Sequence, residues 1–338
     1  MKQILTIILL SILIVSCKTE KGKNILKEDK KHTKYKTIGY LEKLDEDFDK
    51  HVPVSTKIEV ISEGYSWTEG PVWVPKEQFL LFSDVPQNIN YKWTEKEGAT
   101  EFLNPSGYTK DSLKLPGSNG LFLDNTGHLI LCQTGDRAIA KYTGSYANPK
   151  SNFEVLASTF EGKRFNAPND LTIDKKGNIY FTDPNFGLPE GTKEIPYQGV
   201  FKINTKGEIS LLTDKWNAPN GIGISPDNTK LYIANSEPAL FVSYDLSEDG
   251  KLSNEKIVLD MRPALEKSIS KQLPDGMAIK KDGTIFQTGP DGIFVINKNG
   301  KHLGTIKTDK LTSNCAFNED ESVLYVSCHQ LILRIKLN

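Results

Sequence analysis

The chain is predicted to fold as an all-β, six-bladed β-propeller closed by an N-terminal strand on its last blade. Three observations predict it. One phrase recurs six times, each recurrence carries short apolar runs separated by polar turns, and the last recurrence stops one run short. Four strands per unit of about 50 residues is the repeat signature of propeller blades.

The recurring phrase reads "EGPVWVPKEQFLLFSDV" from Glu69, "NGLFLDNTGHLILCQTG" from Asn119 and "NDLTIDKKGNIYFTDPN" from Asn169. It continues as "NGIGISPDNTKLYIANS" from Asn220, "DGMAIKKDGTIFQTGPD" from Asp275 and "NCAFNEDESVLYVSCHQ" from Asn314. The leading residues recur 50, 50, 51, 55 and 39 positions apart. In each copy a polar turn about eight residues after the leader joins two strands. A third run follows in every unit: "NINYKW" (88–93), "RAIAKY" (137–142), "GVFKIN" (199–204), "ALFVSYD" (239–245), "GIFVIN" (292–297) and "LILRIK" (331–336). A fourth run, such as "FEVLA" (153–157) or "KIVLD" (256–260), precedes each next leader. The sixth unit has no fourth run, whereas "KIEVIS" (57–62) stands unused before the first leader. Adding it to the last blade closes the ring and covers a strand edge that would otherwise template aggregation. Two β-sandwiches would not account for six matching leaders.

Ahead of the repeats, "MKQILTIILLSILIVSC" carries one Lys and an apolar run from Ile4 to Val15, too short to remain as a membrane span. Its end, Ile14-Val15-Ser16-Cys17, resembles a bacterial lipobox. The resemblance implies cleavage before Cys17 and lipidation of its sulfur, making residues 1–17 a lipoprotein signal peptide; the alternative is an ordinary secretory signal. Residues 18–50, opening with the polar "KTEKGKNILKEDKKHTK", are expected to be a flexible tether, and 51–338 the propeller. That places the protein at the cell envelope, with the outer membrane facing the periplasm, or the cell surface, as the expected site.

With 338 residues, 38% hydrophobic and 25% charged at a net charge of −1, the chain can bury a large core and has no electrostatic footprint for nucleic acid. Three cysteines remain beyond Cys17: Cys132, Cys315 and Cys328. An odd number argues against a disulfide framework, and no spacing suggests zinc. They are expected to act as small buried hydrophobes, with a Cys315–Cys328 bridge left open.

The leaders themselves form a column: Glu69, Asn119, Asn169, Asn220, Asp275 and Asn314. Equivalent positions in successive blades are related by rotation about one axis, so these oxygen-bearing side chains converge on the channel if any one of them does. Repeated turn chemistry would explain Asn-Gly and Asp-Gly but fits Glu69 poorly. A hard divalent cation, Ca²⁺ before Mg²⁺, fits carboxylates mixed with amide oxygens. Both readings stay open on the pattern alone.

"TEGPVW", "GKRFNAPNDLTID", "IYFTDPNFGL", "PNGIGISPDNTKLYIANS", "PDGMAIKKDG" and "NCAFN" together resemble the gluconolactonase/senescence-marker-protein/luciferin-regenerating-enzyme family, from about Tyr65 to the C-terminus. The resemblance implies a Ca²⁺ or similar ion in the channel, held by Glu69, Asn169, Asn220 and Asp275, with Asn119 and Asn314 as pocket or structural positions. It also implies hydrolysis of a sugar lactone such as gluconolactone, with the ion polarising the carbonyl and Asp275 as general base or nucleophile. Asn119, Gln133, Arg137 and Asp183 are the expected substrate-facing residues. The chain departs from the family where many bacterial relatives carry Cys-Glu-His-Gly: it has Cys132-Gln133-Thr134-Gly135, without the His. His128, His302 and His329 are expected on the surface or in packing. Two alternatives accompany this reading: a lactonase or phosphotriesterase of broad scope, and a non-catalytic propeller that captures a ligand with Ca²⁺.

Overall fold

The computed structural model describes residues 34–110 and 115–337. The lipobox with its lipidation site Cys17, and the tether up to residue 33, lie outside the described residues. Six antiparallel sheets of four or five strands follow in sequence as blades, with a two-stranded ribbon, Thr159–Phe160 and Lys163–Arg164, between blades two and three. Blade one is Thr68–Val74, Phe79–Asp84, Ile89–Thr94 and Gly98–Leu103; blade two is Ser118–Leu123, Leu129–Gln133, Ala138–Tyr142 and Phe153–Ala157. Blade three is Leu171–Ile173, Ile179–Asp183, Gly199–Ile203 and Ile209–Thr213; blade four is Pro219–Ile224, Lys230–Asn235, Leu240–Leu246 and Leu252–Asp260. Blade five runs Met277–Ile279, Ile285–Gly289, Gly292–Ile296 and His302–Lys307. Blade six runs Asn314–Phe317, Val323–Cys328 and Leu331–Lys336, and Ile58–Glu63 pairs with its last strand as the closing strand.

The turns between first and second strands owe their shape to Asx chemistry. Asp124 Oδ1 accepts the backbone N–H groups of Thr126 and His128, and Asp174 Oδ1 those of Lys176 and Asn178. Apolar side chains fill the space between adjacent sheets in six clusters. Phe165, Phe181 and Phe201, for example, pack against Ile130, Cys132 and Ile139 of the preceding blade. Cys132, Cys315 and Cys328 are free thiols buried in these layers; Cys315 faces Val326 and Cys328 faces Leu331, so no bridge joins them.

The N-terminal segment is more ordered than its charge suggested. Residues 37–50, expected in the tether, belong to the propeller. Thr37–Ile38 pairs with the closing strand, Tyr40–Lys43 adds a fifth strand to blade five, and Glu46–Lys50 forms a 3₁₀ turn. Phe48 and Val52 drive this docking, both inserted without solvent exposure between blades five and six. Arg334 ties the closure together. It bonds Glu59 of the closing strand at 2.7 Å and Glu95 of blade one at 2.5 Å, and lies over Tyr35 and Trp93. A chain begun at Gly64 loses the closing strand and leaves two sheet edges unpaired. It is expected to aggregate, whereas one begun at Lys34 gives a monodisperse species with a cooperative melt on size exclusion and circular dichroism.

Candidate metal centre and active site

Five of the six leaders reach the axial cavity because the chain leaves the sheet ladder where they sit; the sixth, Asn314, stays in register opposite Ser327 and does not line it. The register shifts between Glu69 and Val72, between Ser118 and Leu121, and between Pro219 and Ile222. Such bulges re-aim a side chain out of the pleat. Asn169 and Asp275 precede their strands by two residues. Neighbouring blades then pin the leader segments through a ring of buried hydroxyls. Ser83 Oγ donates to Asn119 O (2.9 Å), Thr134 Oγ1 to Pro168 O (2.8 Å) and Thr182 Oγ1 to Asn220 O (2.7 Å). Ser236 Oγ donates to Pro274 O (2.8 Å), Thr288 Oγ1 to Ser313 O (2.9 Å) and Ser313 Oγ to Thr68 O (2.6 Å). Each bond crosses from one blade to the next, so the leader backbones are positioned by the ring as a whole. Thr182→Val is nearly isosteric and leaves Asn220 O without its hydroxyl. It is expected to cost about 1–3 kcal/mol of stability in urea unfolding.

Above this ring lies an axial cavity of ≈ 370 Å³ whose polar wall is Glu69, Asn119, Asn169, Asn220 and Asp275. Trp67, Val85, Pro116, Phe186 and Leu273 form its apolar wall. The longest spacing between leaders, from Asn220 to Asp275, holds the segment that brings Gln272 over the cavity. Gln272 Nε2 donates to Asp275 Oδ2 at 3.2 Å. Asp291 anchors that segment by accepting the N–H groups of Ile269 and Ser270. Glu69 is fixed by Gly70 N (3.2 Å) and a long bond from Trp67 Nε1 (3.4 Å).

Among the described residues, no cationic side chain pairs with the acids of this pocket. Burial first, and then the Asp170 carboxylate, push Glu69 well above the ordinary carboxylate range. Burial, followed by Glu69 and Asp170, does the same to Asp275. Burial raises Asp170 to about 7. Lys271 lines the cavity, but its ammonium is bonded to Leu265 O and Glu266 O. Asn220 donates its amide N–H to Ser236 Oγ at 3.3 Å, and its buried Oδ1 has no hydrogen-bond partner among the described residues. A buried acceptor with no donor is costly. An oxygen-only donor set with an orphaned amide oxygen fits a hard divalent cation. Among the described residues, no three His, Cys, Asp or Glu side chains gather as a metal cluster. A cation here therefore needs the amide oxygens of Asn169 and Asn220 beside Glu69 and Asp275.

Not every expected substrate residue faces this cavity. Asn119 does. Gln133 is buried with its amide directed to Ser106 O at 3.4 Å, and Thr134, the next residue, lines the cavity instead. Arg137 is occupied by the carbonyls of Phe165, Thr192 and Arg164, and lines a side chamber of ≈ 210 Å³ that shares Thr134 and Gly187 with the axial cavity. Asp183 is fully buried, its carboxylate accepting Asn166 N and Ala167 N at 2.8 Å each, so it shapes the loop before Asn169 rather than binding substrate. Burial raises Asp183 to about 7 from 3.8. The folded state then holds its proton longer than the unfolded chain, and this group's contribution to stability falls as pH climbs from about 4 to 7. Asp183→Asn is expected to remove that part of the slope, read from urea midpoints across pH. The histidines stay out of the site: His128 bonds Thr126 Oγ1, His302 bonds Gly304 O, and His329 packs edge-on against Trp67. Sequence reasoning missed Trp67, Thr134, Gln272 and Asp170, although Asp170 stands within the Pro-Asn-Asp phrase and Thr134 within the departing motif.

Comparison with known proteins agrees with this architecture. A gluconolactonase of Zymomonas mobilis is 38% identical over 313 residues, covering 89% of this chain and 86% of its own. The solved gluconolactonase of Xanthomonas campestris superposes with a TM-score of 0.78 at 22% identity, over 90% of this chain and 98% of its own. The solved regucalcin of Agrobacterium tumefaciens, a calcium-binding protein, superposes with a TM-score of 0.64 at 16% identity, over 82% and 94%. At such identities these two structures speak for the fold alone. The sequence profile of the SMP-30/gluconolactonase/LRE-like region matches residues 67–330, and the chain belongs to that family.

Proposed function

We propose that the chain is a lactonase that opens a sugar lactone such as gluconolactone to its aldonic acid, using a divalent cation, Ca²⁺, held by Glu69, Asn169, Asn220 and Asp275. The observation that carries the cation is the orphaned Asn220 Oδ1, set among two buried carboxylates that no ammonium or guanidinium of the described residues neutralises. The gluconolactonase relative at 38% identity supports the substrate class.

When bound, such an ion supplies Lewis-acid polarisation of the lactone carbonyl. The chain's own groups do the rest. Gln272 holds Asp275 Oδ2, leaving Oδ1 to take a proton from the water that adds to the carbonyl carbon. As the ring C–O bond breaks, that proton passes to the departing ring oxygen, so lactone plus water gives one hydroxy acid. Asn119 and Thr134 offer hydrogen bonds to the sugar hydroxyls, while Trp67 and Phe186 cover its apolar face and exclude water. A substrate panel tests the class: glucono-1,5-lactone is expected to be turned over faster than any phosphotriester, and the reverse order would overturn the assignment.

The lipobox supports a further part of the reading, that Cys17 anchors the enzyme to a membrane of the cell envelope, most simply the outer membrane. Detergent partitioning of the expressed chain, lost on Cys17→Ala, tests it.

A further inference from the structure

The residue after each leader forms a second column: Gly70, Gly120, Asp170, Gly221, Gly276 and Cys315. Four of the six are glycine, and the space they leave is filled from the neighbouring blade. A Cβ on Gly120 would stand 2.7 Å from Asp170 Oδ1, and one on Gly276 would stand 2.0 Å from Asn314 Cγ. Asp170 and Asn314 thus occupy the room that glycines vacate, and Asn314 Nδ2 faces Asp170 Oδ2 at 3.4 Å. Together they separate the substrate cavity from a second cavity of ≈ 350 Å³ at the other end of the channel. Asp170 lines that second cavity and not the first.

A carboxylate there is not needed for the fold, since four other blades carry glycine at this position. Nor is it neutralised. Its partners are the Leu171 N–H (2.9 Å), the Ile222 N–H of the next blade and the Asn314 amide, all uncharged, and Lys281, which also lines the second cavity, donates to Glu319 O. Asp170 lines the second cavity while Glu69 and Asp275 line the first, so it stands on the other side of the leader ring from them. Its charge still reaches them, adding to burial in raising both Glu69 and Asp275.

We infer that Asp170 is a positioning residue for the cation, a third carboxylate lying behind the leader ring that holds the ion by charge, oriented by Asn314. This rests on the cation reading above. Two acids of the leader ring balance a divalent ion. The third makes the site net negative, which strengthens ion capture in a buried setting where Coulomb forces are weakly screened. In the ion-free protein it adds like-charge repulsion. Affinity and ion-free stability are therefore set against each other at this residue, which a purely structural side chain would not do.

Two variants test it: Asp170→Asn, which keeps the shape, and Asp170→Gly, which installs the residue of the other blades. Calorimetric titration with CaCl₂ and thermal melts in EDTA are compared with the unmodified protein, and lactone turnover is measured at saturating Ca²⁺. The expected result is a Ca²⁺ Kd raised about ten-fold or more in both variants. With it come a higher EDTA melting temperature for Asp170→Asn and a kcat at saturating ion within a few-fold of normal. An unchanged Kd with a lowered melting temperature, or failure of both variants to fold, would show a structural role and overturn the inference. A kcat that stays low at saturating ion would make Asp170 part of the chemistry and overturn it as well. If the unmodified protein takes up no divalent cation at all, the cation reading itself falls, and this one with it.

Discussion

Replacing Asp275 by Asn is expected to lower kcat for glucono-1,5-lactone by about 10²–10⁴-fold, the range lost when a positioned general base is removed. The substitution keeps the shape and the contact with Gln272, so the fold should persist. What disappears is the proton acceptor in the cavity. Asp275 is the one leader carboxylate held from the segment that covers the cavity, through Gln272 Nε2 at 3.2 Å. Glu69 is instead held by the Gly70 backbone and Trp67. Asp275→Asn also removes a charge from the cation site, so turnover must be measured across a Ca²⁺ titration. A kcat that stays low at saturating ion assigns the loss to proton transfer. A kcat recovered in full at high Ca²⁺ would reduce Asp275 to a ligand.

Removing divalent ions is expected to have the second large effect. With EDTA in excess, lactone turnover followed by pH-stat should fall to the spontaneous rate and return when CaCl₂ exceeds the chelator. The same ion should stabilise the fold, because it binds only the native arrangement of oxygens. Saturation at 100 times Kd contributes about 2.7 kcal/mol. Two physical reasons make the effect large: the ion meets the unpaired Asn220 Oδ1, and it relieves the repulsion among Glu69, Asp275 and Asp170. Turnover that is indifferent to chelation in a folded protein would remove the ion from the reaction.

The blade pattern was legible in the sequence because each unit repeats the same solution to one packing problem. Apolar runs of strand length alternate with Asx turns, and the missing fourth strand of the last unit pointed to Ile58–Glu63 as the closure. The leader column was legible for the same reason, since rotation about the axis turns a column in the sequence into a ring in space. What lacked a repeat was harder to read. The segment "LDEDFDKHV" looks solvated because only Leu44, Phe48 and Val52 interrupt its polar run, yet the last two, buried while Leu44 stays exposed, are what dock it. Gln133, Arg137 and Asp183 sit near the channel in sequence but spend their polar atoms on backbone groups of neighbouring loops, a competition invisible without coordinates. Thr134 was overshadowed by the absent His of the family motif. Asp170 reads as part of the Pro-Asn-Asp phrase, although it breaks a column that is otherwise mostly glycine.

The hydroxyl ring shows that much of the site's rigidity comes from bonds between blades, although Thr134 and Ser236 of the ring also line the cavity. Ser83, Thr134, Thr182, Ser236, Thr288 and Ser313 touch no predicted ligand atom through their bonded hydroxyls, yet each fixes the backbone at or beside a leader in the next blade. Loss of one such bond is expected to be felt around the ring, because buried, fully satisfied networks are stiffer than their separate bonds.

The central claim is that four leader oxygens hold one divalent cation at the axis. A crystal structure of the chain from Lys34 onward, grown with CaCl₂, tests it most directly. One ion is predicted at about 2.3–2.6 Å from oxygens of Glu69, Asn169, Asn220 and Asp275, with Asn220 Oδ1 among them. An axial cavity holding only water, or Asn220 Oδ1 satisfied by a protein donor instead, would contradict it.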